Sequence, residues 1–338
     1  MKKLISKIFA AMLCAALVFS FAACGDGAND EGKTETLTSV NVYMPDGAPA
    51  VALAAFMDGG YDRAKFTVVT PAAVIAQRVS SGDADLAVMP INAAATLYNG
   101  GKDIVMLTVN THGNLFIVGD GDDITLDDLV GKRLGVIGEG NVPDQVLRML
   151  LDAKGIGYEK SEEAVTGKVA LTYADDGGVL LPLLKQGKVD YAFLAEPAAT
   201  TAVGNFSKKI VADVQELWRA QFGGGYPQAC LVGQGKFVRE NKAYVDKFIK
   251  DLAAADGWAE RNPDKALAAI SSHMESGATT SLKILNANVV KNCNIKTVAA
   301  LEMKSVCDGY FQKLTELKTG LGTTVLKKVP DENFYYKA

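Results

Sequence analysis

The side chains best suited to bind a ligand in this sequence are carboxylates in short loops that follow apolar segments. They are Asp46, Glu139 and Glu196, and no arginine falls in these loops. This balance favours a ligand with hydrogen-bond donors, such as an amine or an aminopyrimidine, over a strongly anionic one. Two alternatives stay open. The carboxylates could face solvent or pair with lysine, and backbone groups at helix ends could hold an anion without any charged side chain.

Two asparagines stand where helices are predicted to begin. Asn92 and Asn141 are suited to cap a helix start with the side-chain oxygen. Alternatively, the free N–H groups of these helix starts face the ligand and hold an anionic or carbonyl group. The glycines Gly138 and Gly140 could let the backbone approach a ligand closely, and a plain turn is the alternative. They are not a dinucleotide fingerprint, because Pro143 stands where the G-x-G-x-x-G spacing requires glycine.

Two further side chains are candidates for ligand contact. His112 could hydrogen-bond to a ligand, and the alternative is a solvated loop histidine. Tyr226 follows the three glycines 223–225, an arrangement that suits an aromatic stacking platform. A tyrosine packed within its own loop is the alternative.

Groups that could catalyse a reaction are scarce. The two histidines, His112 and His273, are far apart in the sequence, and we expect His273 to be structural. The chain has no nucleophile motif, and its cysteine spacing matches no metal site. The sequence therefore favours a binding protein without cofactor or metal over an enzyme.

The N-terminus has the pattern of an export signal. Lys2, Lys3 and Lys7 precede an uncharged apolar run over residues 8–23, which is too short to span a bilayer comfortably. The segment 21–24, Phe-Ala-Ala-Cys, resembles a bacterial lipoprotein processing box, which implies cleavage before Cys24 and acylation of its sulfur. An ordinary signal peptide with an incidental cysteine is the alternative.

Processing at Cys24 would leave an acidic mature chain. Removing the three lysines from the 35 basic residues, against 39 acidic ones, leaves a net charge of −7. Such a balance gives no electrostatic reason to bind nucleic acid. Residues 24–38 are small, polar and acidic, and are predicted to be a flexible tether. Folded sequence is expected from about Val40 onward.

Three cysteines remain in the folded part. A helix predicted from about Lys296 would hold Cys293 and Cys307 too far apart for a disulfide. We therefore expect Cys230, Cys293 and Cys307 to be packed thiols.

Short apolar runs alternate with helical patterns from Val40 onward, and the last third is more helical. Continuous apolar strands separated by helices are typical of parallel sheets covered on both faces. One pattern occurs twice: G-x-x-D followed by an apolar residue, alanine and two apolar residues, at 82–89 and at 187–194. The repeat predicts two equivalent lobes, and the alternative is a chance likeness between two βα units.

Four stretches together carry a family resemblance: the strand and loop 40–47, the repeated element, the segment 126–136, and Ala195-Glu196-Pro197. With the lipoprotein-like start, they resemble the nitrate, sulfonate, taurine and thiamine-pyrimidine-precursor family of ABC-transporter substrate-binding proteins. The resemblance covers nearly all of the mature chain.

The resemblance implies an α/β, two-lobed type II periplasmic-binding-protein fold with two hinge crossings and a helical C-terminal extension. The expected division is a signal peptide over 1–23 and a tether over 24–38. Lobe 1 is expected over 39–110 plus 205–338, and lobe 2 over 111–204.

In open α/β sheets ligands bind outside the carboxyl ends of the strands, and these ends can be located in the sequence. Together with the tyrosine after the glycines, they give the predicted ligand-binding residues: Met44, Asp46, Gly47, Ala48, Pro90, Ile91, Asn92, Asn110, Thr111, His112, Glu139, Gly140, Asn141, Val142, Glu196 and Tyr226.

The expected function is capture of a small organic solute and its delivery to an ABC permease with its ATPase. The protein would be a monomer, lipid-anchored on the extracytoplasmic face of the cell membrane. Two alternatives stay open: a pyrimidine-precursor synthesis enzyme of the same fold, and a sensor lipoprotein that presents its ligand to a receptor. The sequence does not choose among a sulfonate, a thiamine precursor, a riboflavin-like and an amino-acid-like solute.

Overall fold

A computed structural model describes residues 37–282, 285–319 and 322–338. The predicted signal peptide, Cys24 and nearly all of the predicted tether lie outside the described residues.

The strands of the described chain form two six-stranded sheets. Their bounds are β1 Val40–Pro45, β2 Ala64–Val69, β3 Leu86–Pro90, β4 Ile104–His112, β5 Leu115–Gly119, β6 Arg133–Ile137, β7 Tyr158–Lys160, β8 Val169–Ala174, β9 Tyr191–Ala195, β10 Lys209–Asp213, β11 Pro227–Gln234 and β12 Ile295–Ala299.

Helices separate most of these strands and fill much of the last third of the chain, as expected. Their bounds are α1 Ala48–Ala52, α2 Ala54–Gly59, α3 Val74–Ser81, α4 Ile91–Asn99, α5 Val142–Lys154, α6 Gly177–Lys185, α7 Ala198–Phe206, α8 Val214–Phe222, α9 Gly235–Glu240, α10 Lys242–Ala254, α11 Trp258–Arg261, α12 Pro263–Ser272, α13 Ala287–Asn292 and α14 Ala300–Glu316. Short 3-10 turns lie at Asp127–Leu129 and Glu332–Phe334.

Sheet A has the order β12-β4-β11-β3-β1-β2, and sheet B has the order β10-β5-β9-β6-β8-β7. In sheet A, β1 runs parallel to β2 and β3, while β11 runs antiparallel to β3 and β4. In sheet B, β6 runs parallel to β8 and β9, while β5 runs antiparallel to β9. Strands buried on both faces, such as β3, have the continuous apolar sequences that predicted this mixed α/β fold.

The chain crosses twice between the sheets. It leaves sheet A after His112 and returns across residues 223–226, which divides it into half A (37–112 and 227–338) and half B (113–226). The predicted return at residue 205 is corrected, because β10 pairs with β5 of sheet B and α8 packs beside it. The first boundary, predicted at 110, falls two residues later because β4 continues to His112.

The repeated G-x-x-D element occupies matching places in the two sheets. β3 lies between parallel β1 and antiparallel β11, and β9 lies between parallel β6 and antiparallel β5. Gly82 and Gly187 both adopt the left-handed conformation, with φ of 82° and 66°, where a side chain would be strained. The two copies therefore share local structure as well as sequence.

The halves also share a buried cluster, away from the strand ends described below. Tyr310 on α14 of half A donates a hydrogen bond to Gln145 Oε1 on α5 of half B at 3.0 Å. The Tyr310 ring lies 6.2 Å from the Trp218 ring on α8. All three side chains are almost completely buried, so this face joins the halves through a packed core.

The three described cysteines are free and buried, as expected. Burial raises the pKa of the thiols of Cys230 and Cys293, which keeps them protonated. The helix predicted from about Lys296 begins later, at Ala300. Residues 295–299 instead form β12, which pairs with β4. His273 ends α12 with its Nδ1 2.8 Å from the carbonyl oxygen of Ala269, a structural place.

Candidate functional site

A cavity of about 480 Å³ lies between the halves, where carboxyl ends of strands from both sheets meet. It is lined by residues that follow β1 and β3 in half A and β6, β8 and β9 in half B. Residues at or next to both crossings also contribute: Thr111 and Asn114 at the first, and Gln228 at the second. This is where open α/β sheets bind ligands, and we call it the cleft.

Half of the predicted ligand-binding residues line the cleft. They are Asp46, Gly47, Ala48, Pro90, Thr111, Asn141, Val142 and Glu196.

Met44 and Ile91 do not line the cleft, contrary to the prediction that they contact the ligand. Each is 0% exposed and packs into the apolar core. Both side chains point into the buried layer between sheet and helices, away from the cleft. Burial of an apolar side chain there is favourable because it removes apolar surface from water.

Tyr226 is not a stacking platform in the cleft. Its ring is 2% exposed, lies 5.0 Å from the Trp218 ring, and donates from its hydroxyl to Gln215 Oε1 at 2.6 Å. It fits because residue 113 is glycine: a Cβ there would lie 2.5 Å from the ring. The glycines before Tyr226 form the crossing, and the ring is packed behind it.

His112 lies on the same rear side as Tyr226, along a separate cavity of about 190 Å³. Its Nε2 lies 3.0 Å from the carbonyl oxygen of Lys296. Burial lowers the pKa of His112, so the ring is neutral around pH 7. Asn110 is also away from the cleft: it is 0% exposed and its Oδ1 accepts from Thr108 Oγ1.

The remaining predicted residues lie near the cleft without lining it. Glu139 is exposed and pairs with Lys160 at 2.8 Å. The carbonyl of Gly140 accepts hydrogen bonds from Asn92 Nδ2 at 3.2 Å and from Gln145 Nε2 at 2.7 Å. Asn92 therefore connects half A to half B.

Neither predicted asparagine caps its helix with its side chain. α4 has Pro90 at its N-cap position, and Asn92 lies inside the first turn. Asn141 occupies the N-cap position of α5 in an extended conformation, but its side chain accepts no hydrogen bond from the helix. Its side chain lies along the cleft instead.

Several lining residues were not among those predicted from the sequence. Asn114 and the pair Asp175 and Asp176 follow strand ends, so the strand-end rule could have included them. The face formed by α6 and α7 carried no sequence signal, because helix packing alone brings it to the cleft. Its cleft-lining residues are Gly177, Gly178, Leu181, Pro182, Ala198, Thr201, Asn205 and Phe206.

The charged side chains that line the cleft are all acidic. They are Asp46, Asp175, Asp176 and Glu196, and no lysine, arginine or histidine of the described chain is among the lining residues. None of the four forms an ion pair with a described residue. Most other lining residues are apolar or small, so the cleft combines negative charge with apolar walls.

Asp46 and Glu196 are held by neutral donors. Asp46 accepts from Thr280 Oγ1 at 2.7 Å and from the backbone N–H and hydroxyl of Ser281 at 2.6 and 2.7 Å. Glu196 is 3% exposed and accepts from the hydroxyl and backbone N–H of Thr200 at 2.7 and 3.1 Å, and from Asn292 Nδ2 at 3.3 Å. Both carboxylates are therefore fixed in place.

Within the described ranges, His, Cys, Asp and Glu side chains do not gather in groups of three that could hold a metal ion. The described helices are each too short or too polar to cross a bilayer.

Comparison with known proteins places these features in context. A sequence model described as the NMT1-like family matches residues 29–272. No curated protein matches the chain significantly.

Solved structures show the same fold. An ABC transporter structure from Parabacteroides distasonis is 23% identical with a TM-score of 0.70, over 89% of this chain and 99% of that one. The periplasmic aliphatic sulphonate binding protein SsuA from Escherichia coli is 14% identical with a TM-score of 0.59, over 88% and 98%. The alkanesulfonate-binding protein SsuA from Xanthomonas axonopodis pv. citri, bound to MOPS, is 15% identical with a TM-score of 0.58, over 88% and 96%. The periplasmic-binding-protein fold expected from the sequence is confirmed.

Proposed function

The chain belongs to the NMT1-like family, and from that premise we propose that it is the solute-binding lipoprotein of an ABC importer. It captures a small organic solute outside the membrane and delivers it to the permease. The single observation that carries this proposal is the cleft, a cavity of about 480 Å³ lined by both halves at the carboxyl ends of their strands.

The two crossings suit a mechanism in which the halves close on the solute. A solute that contacts both halves stabilises the arrangement in which both contacts exist, and only this difference in affinity can shift the equilibrium. Side-chain hydrogen bonds that span the halves beside the cleft include those from Asn92 Nδ2 to the Gly140 carbonyl, from Asn292 Nδ2 to Glu196, and from Asn114 Nδ2 to the Cys293 carbonyl. Such bonds are each worth about 1 to 3 kcal/mol, so the contacts of a bound solute are large enough to shift the balance between arrangements of the halves. The permease would recognise the closed arrangement.

Capture without chemical change is the expected activity. Asp46 and Glu196 are held by hydroxyl, amide and backbone donors, and no histidine or cysteine of the described chain lines the cleft. Such a lining offers acceptors for binding but no nucleophile paired with a base. We therefore expect the solute to be released in the same chemical form in which it was bound.

The lipid anchor is proposed at Cys24. Replacing Cys24 with serine removes the sulfur that would be acylated, so the protein should move from the membrane fraction to the soluble fraction. Solute affinity should stay the same because the cleft lies within the folded halves. A Cys24→Ser protein that stays in the membrane fraction would contradict the anchor.

A thermal-shift screen tests the proposed capture. The panel contains sulfonates, pyrimidine precursors of thiamine, flavin-like molecules, amino acids and amines. A binder present at 100 times its Kd should stabilise the protein by about 2.7 kcal/mol. Mass spectrometry of the released hit distinguishes capture from turnover, because a captured solute is recovered unchanged. If no member of the panel raises the transition temperature, solute capture is contradicted.

A further inference from the structure

We propose that the cleft selects a solute that carries a protonated amine or amidine on an otherwise apolar body. Glu196, Asn114 and Thr111 form the floor that receives its N–H groups. This inference rests on the proposed function and names the class of solute that the cleft captures.

Glu196 is a buried carboxylate that has no cationic partner among the described residues. The side chain is 3% exposed, and its three hydrogen bonds come from the neutral groups of Thr200 and Asn292. A carboxylate offers about four acceptor positions, so at least one position stays open for a donor from the cleft. A buried carboxylate is stabilised most by a charged donor, and a cationic solute would supply that charge.

Asn114 presents a second acceptor beside Glu196. The two residues are neighbours across β5 and β9, since Glu196 N–H donates to the Asn114 carbonyl at 3.1 Å. Asn114 Nδ2 lies 3.4 Å from the carbonyl oxygen of Cys293, which places the amide nitrogen on that side. Oδ1 points elsewhere, and it has no hydrogen-bond partner within the described chain although the residue is only 1% exposed.

Thr111 completes the floor. The residue lines the cleft and is 1% exposed, and its Oγ1 has no hydrogen-bond partner among the described residues. Buried polar atoms in native proteins are normally hydrogen-bonded, and an exception needs an explanation. Two such exceptions on one cavity, next to a carboxylate with no cationic partner in the described part of the chain, indicate that a ligand with several N–H donors completes the site.

The rest of the cleft suits the remainder of such a solute. Asp46, Asp175 and Asp176 add negative charge, which attracts a cation and disfavours an anion. Leu181 and Phe206 contribute to apolar walls that can bury a hydrocarbon or aromatic body. The acidic lining also disfavours a sulfonate, the ligand class named for two of the structural neighbours.

Matched ligands test the charge requirement. Phenyl, cyclohexyl and indole bodies are each prepared with a 2-aminoethyl, a 2-hydroxyethyl or a 2-sulfonatoethyl group, and affinity is measured by calorimetry. The ammonium member of the best-binding set should bind at least tenfold tighter than the alcohol, as expected for a charge-assisted hydrogen bond in a buried site. The sulfonate member should bind more weakly than the alcohol.

Glu196→Gln tests the residue that recognises the charge. It should lower the affinity for the ammonium member by roughly 10- to 100-fold and change the affinity for the alcohol by less than about threefold. Glu139→Gln is the matched control, because it makes the same chemical change at an exposed residue outside the cleft. It should leave all affinities unchanged within about threefold.

Thr111→Val tests the floor without removing a charge. Valine keeps the shape and removes a hydroxyl that has no partner in the described chain, so the transition temperature of the ligand-free protein should stay the same or rise. The affinity for the ammonium member should fall by roughly three- to tenfold. A purely structural role predicts a lower transition temperature and unchanged affinity.

The outcomes separate this inference from the proposed function. If alcohols or sulfonates bind best, or if Glu196→Gln leaves amine affinity unchanged, the amine class is overturned while solute capture stands. If neither these ligands nor the wider panel raises the transition temperature, solute capture fails, and the amine class fails with it.

Discussion

Asp85 in half A and Asp190 in half B occupy the same position of the repeated G-x-x-D element, yet their electrostatic settings are opposite. Each carboxylate accepts the backbone N–H of the first or second residue of the neighbouring strand at 2.8 Å, from Asn41 in half A and from Arg133 in half B. The Arg133 side chain also pairs with Asp190, at 2.7 Å. The G-x-x-D element therefore gives the same backbone hydrogen bond in both halves. The residue that donates this bond determines whether the aspartate also has a cationic partner, as Asp190 has in Arg133.

The pKa shifts follow from that difference. Hydrogen bonding to the Arg133 side chain lowers the pKa of Asp190. Burial raises the pKa of Asp85, and the bond from the Asn41 N–H opposes this only in part. One motif can thus stabilise its half electrostatically in one copy and cost stability in the other.

The helices that follow β1 and β6 also differ in their charged residues between the two halves. α1 of half A has no charged residue, whereas α5 of half B carries Asp144, which is 1% exposed. Asp144 accepts from the Gly140 N–H at 3.0 Å and the Tyr173 hydroxyl at 2.7 Å, and it lies 3.5 Å from Arg148. Half B therefore depends on buried charge at a place where half A depends on apolar packing alone.

Asp144→Asn should have the largest effect of three matched substitutions. It leaves Arg148 without its carboxylate partner in a mostly buried place, which should cost about 3 kcal/mol of unfolding free energy. Urea denaturation measures the loss. Asp144→Asn in an Arg148→Met background should cost much less, because the unpaired charge is gone, and equal costs in both backgrounds would contradict the pairing.

Asp190→Asn should have an intermediate effect, a loss of about 1 kcal/mol at pH 7, because the pair is partly exposed. Since the folded pKa is lowered, the stabilisation is present above the unfolded pKa of about 3.9 and is lost as the pH falls through the folded value. Stability curves of the two proteins should therefore converge in acid. A constant difference at every pH would rule out the ion pair as the cause.

Asp85→Asn should have the smallest effect and the opposite sign. Asparagine can still accept the Asn41 N–H, and it removes a carboxylate whose folded pKa is raised. The wild-type cost appears as the pH rises from the unfolded pKa of about 3.9 through the folded value, so the variant should gain a few tenths of a kcal/mol at pH 7 and nothing near pH 3. A loss as large as that of Asp190→Asn would remove the contrast between the halves.

The alternation of strands and helices predicted much of the cleft, because strand ends follow from one-dimensional patterns. Asp46 and Glu196 come directly after apolar strands, Asn141 follows β6 by four residues, and all three line the cavity. The rule failed where the direction of a side chain mattered: Met44 and Ile91 stand at a strand end and a helix start, but they point into the core.

Features that depend on tertiary packing left no usable pattern in the sequence. The glycines before Tyr226 predicted an aromatic stacking platform, but the ring packs on Trp218 because Gly113, distant in sequence, leaves room for it. The Asn114 and Thr111 oxygens have no partner among the described residues, and this emerges only when both crossings and β9 are placed together. A single sequence can therefore predict which loops meet at the cleft, but not which polar atoms stay unpaired there.

A crystal structure of the protein with the tightest-binding solute of the panel tests the central claim most directly. We predict that the solute lies between the strand ends of the two sheets and contacts residues of both halves. A donor nitrogen of the solute should lie about 3 Å from the Glu196 carboxylate, the usual length of such a hydrogen bond. A solute bound outside the cleft, or in contact with only one half, would contradict capture between the halves.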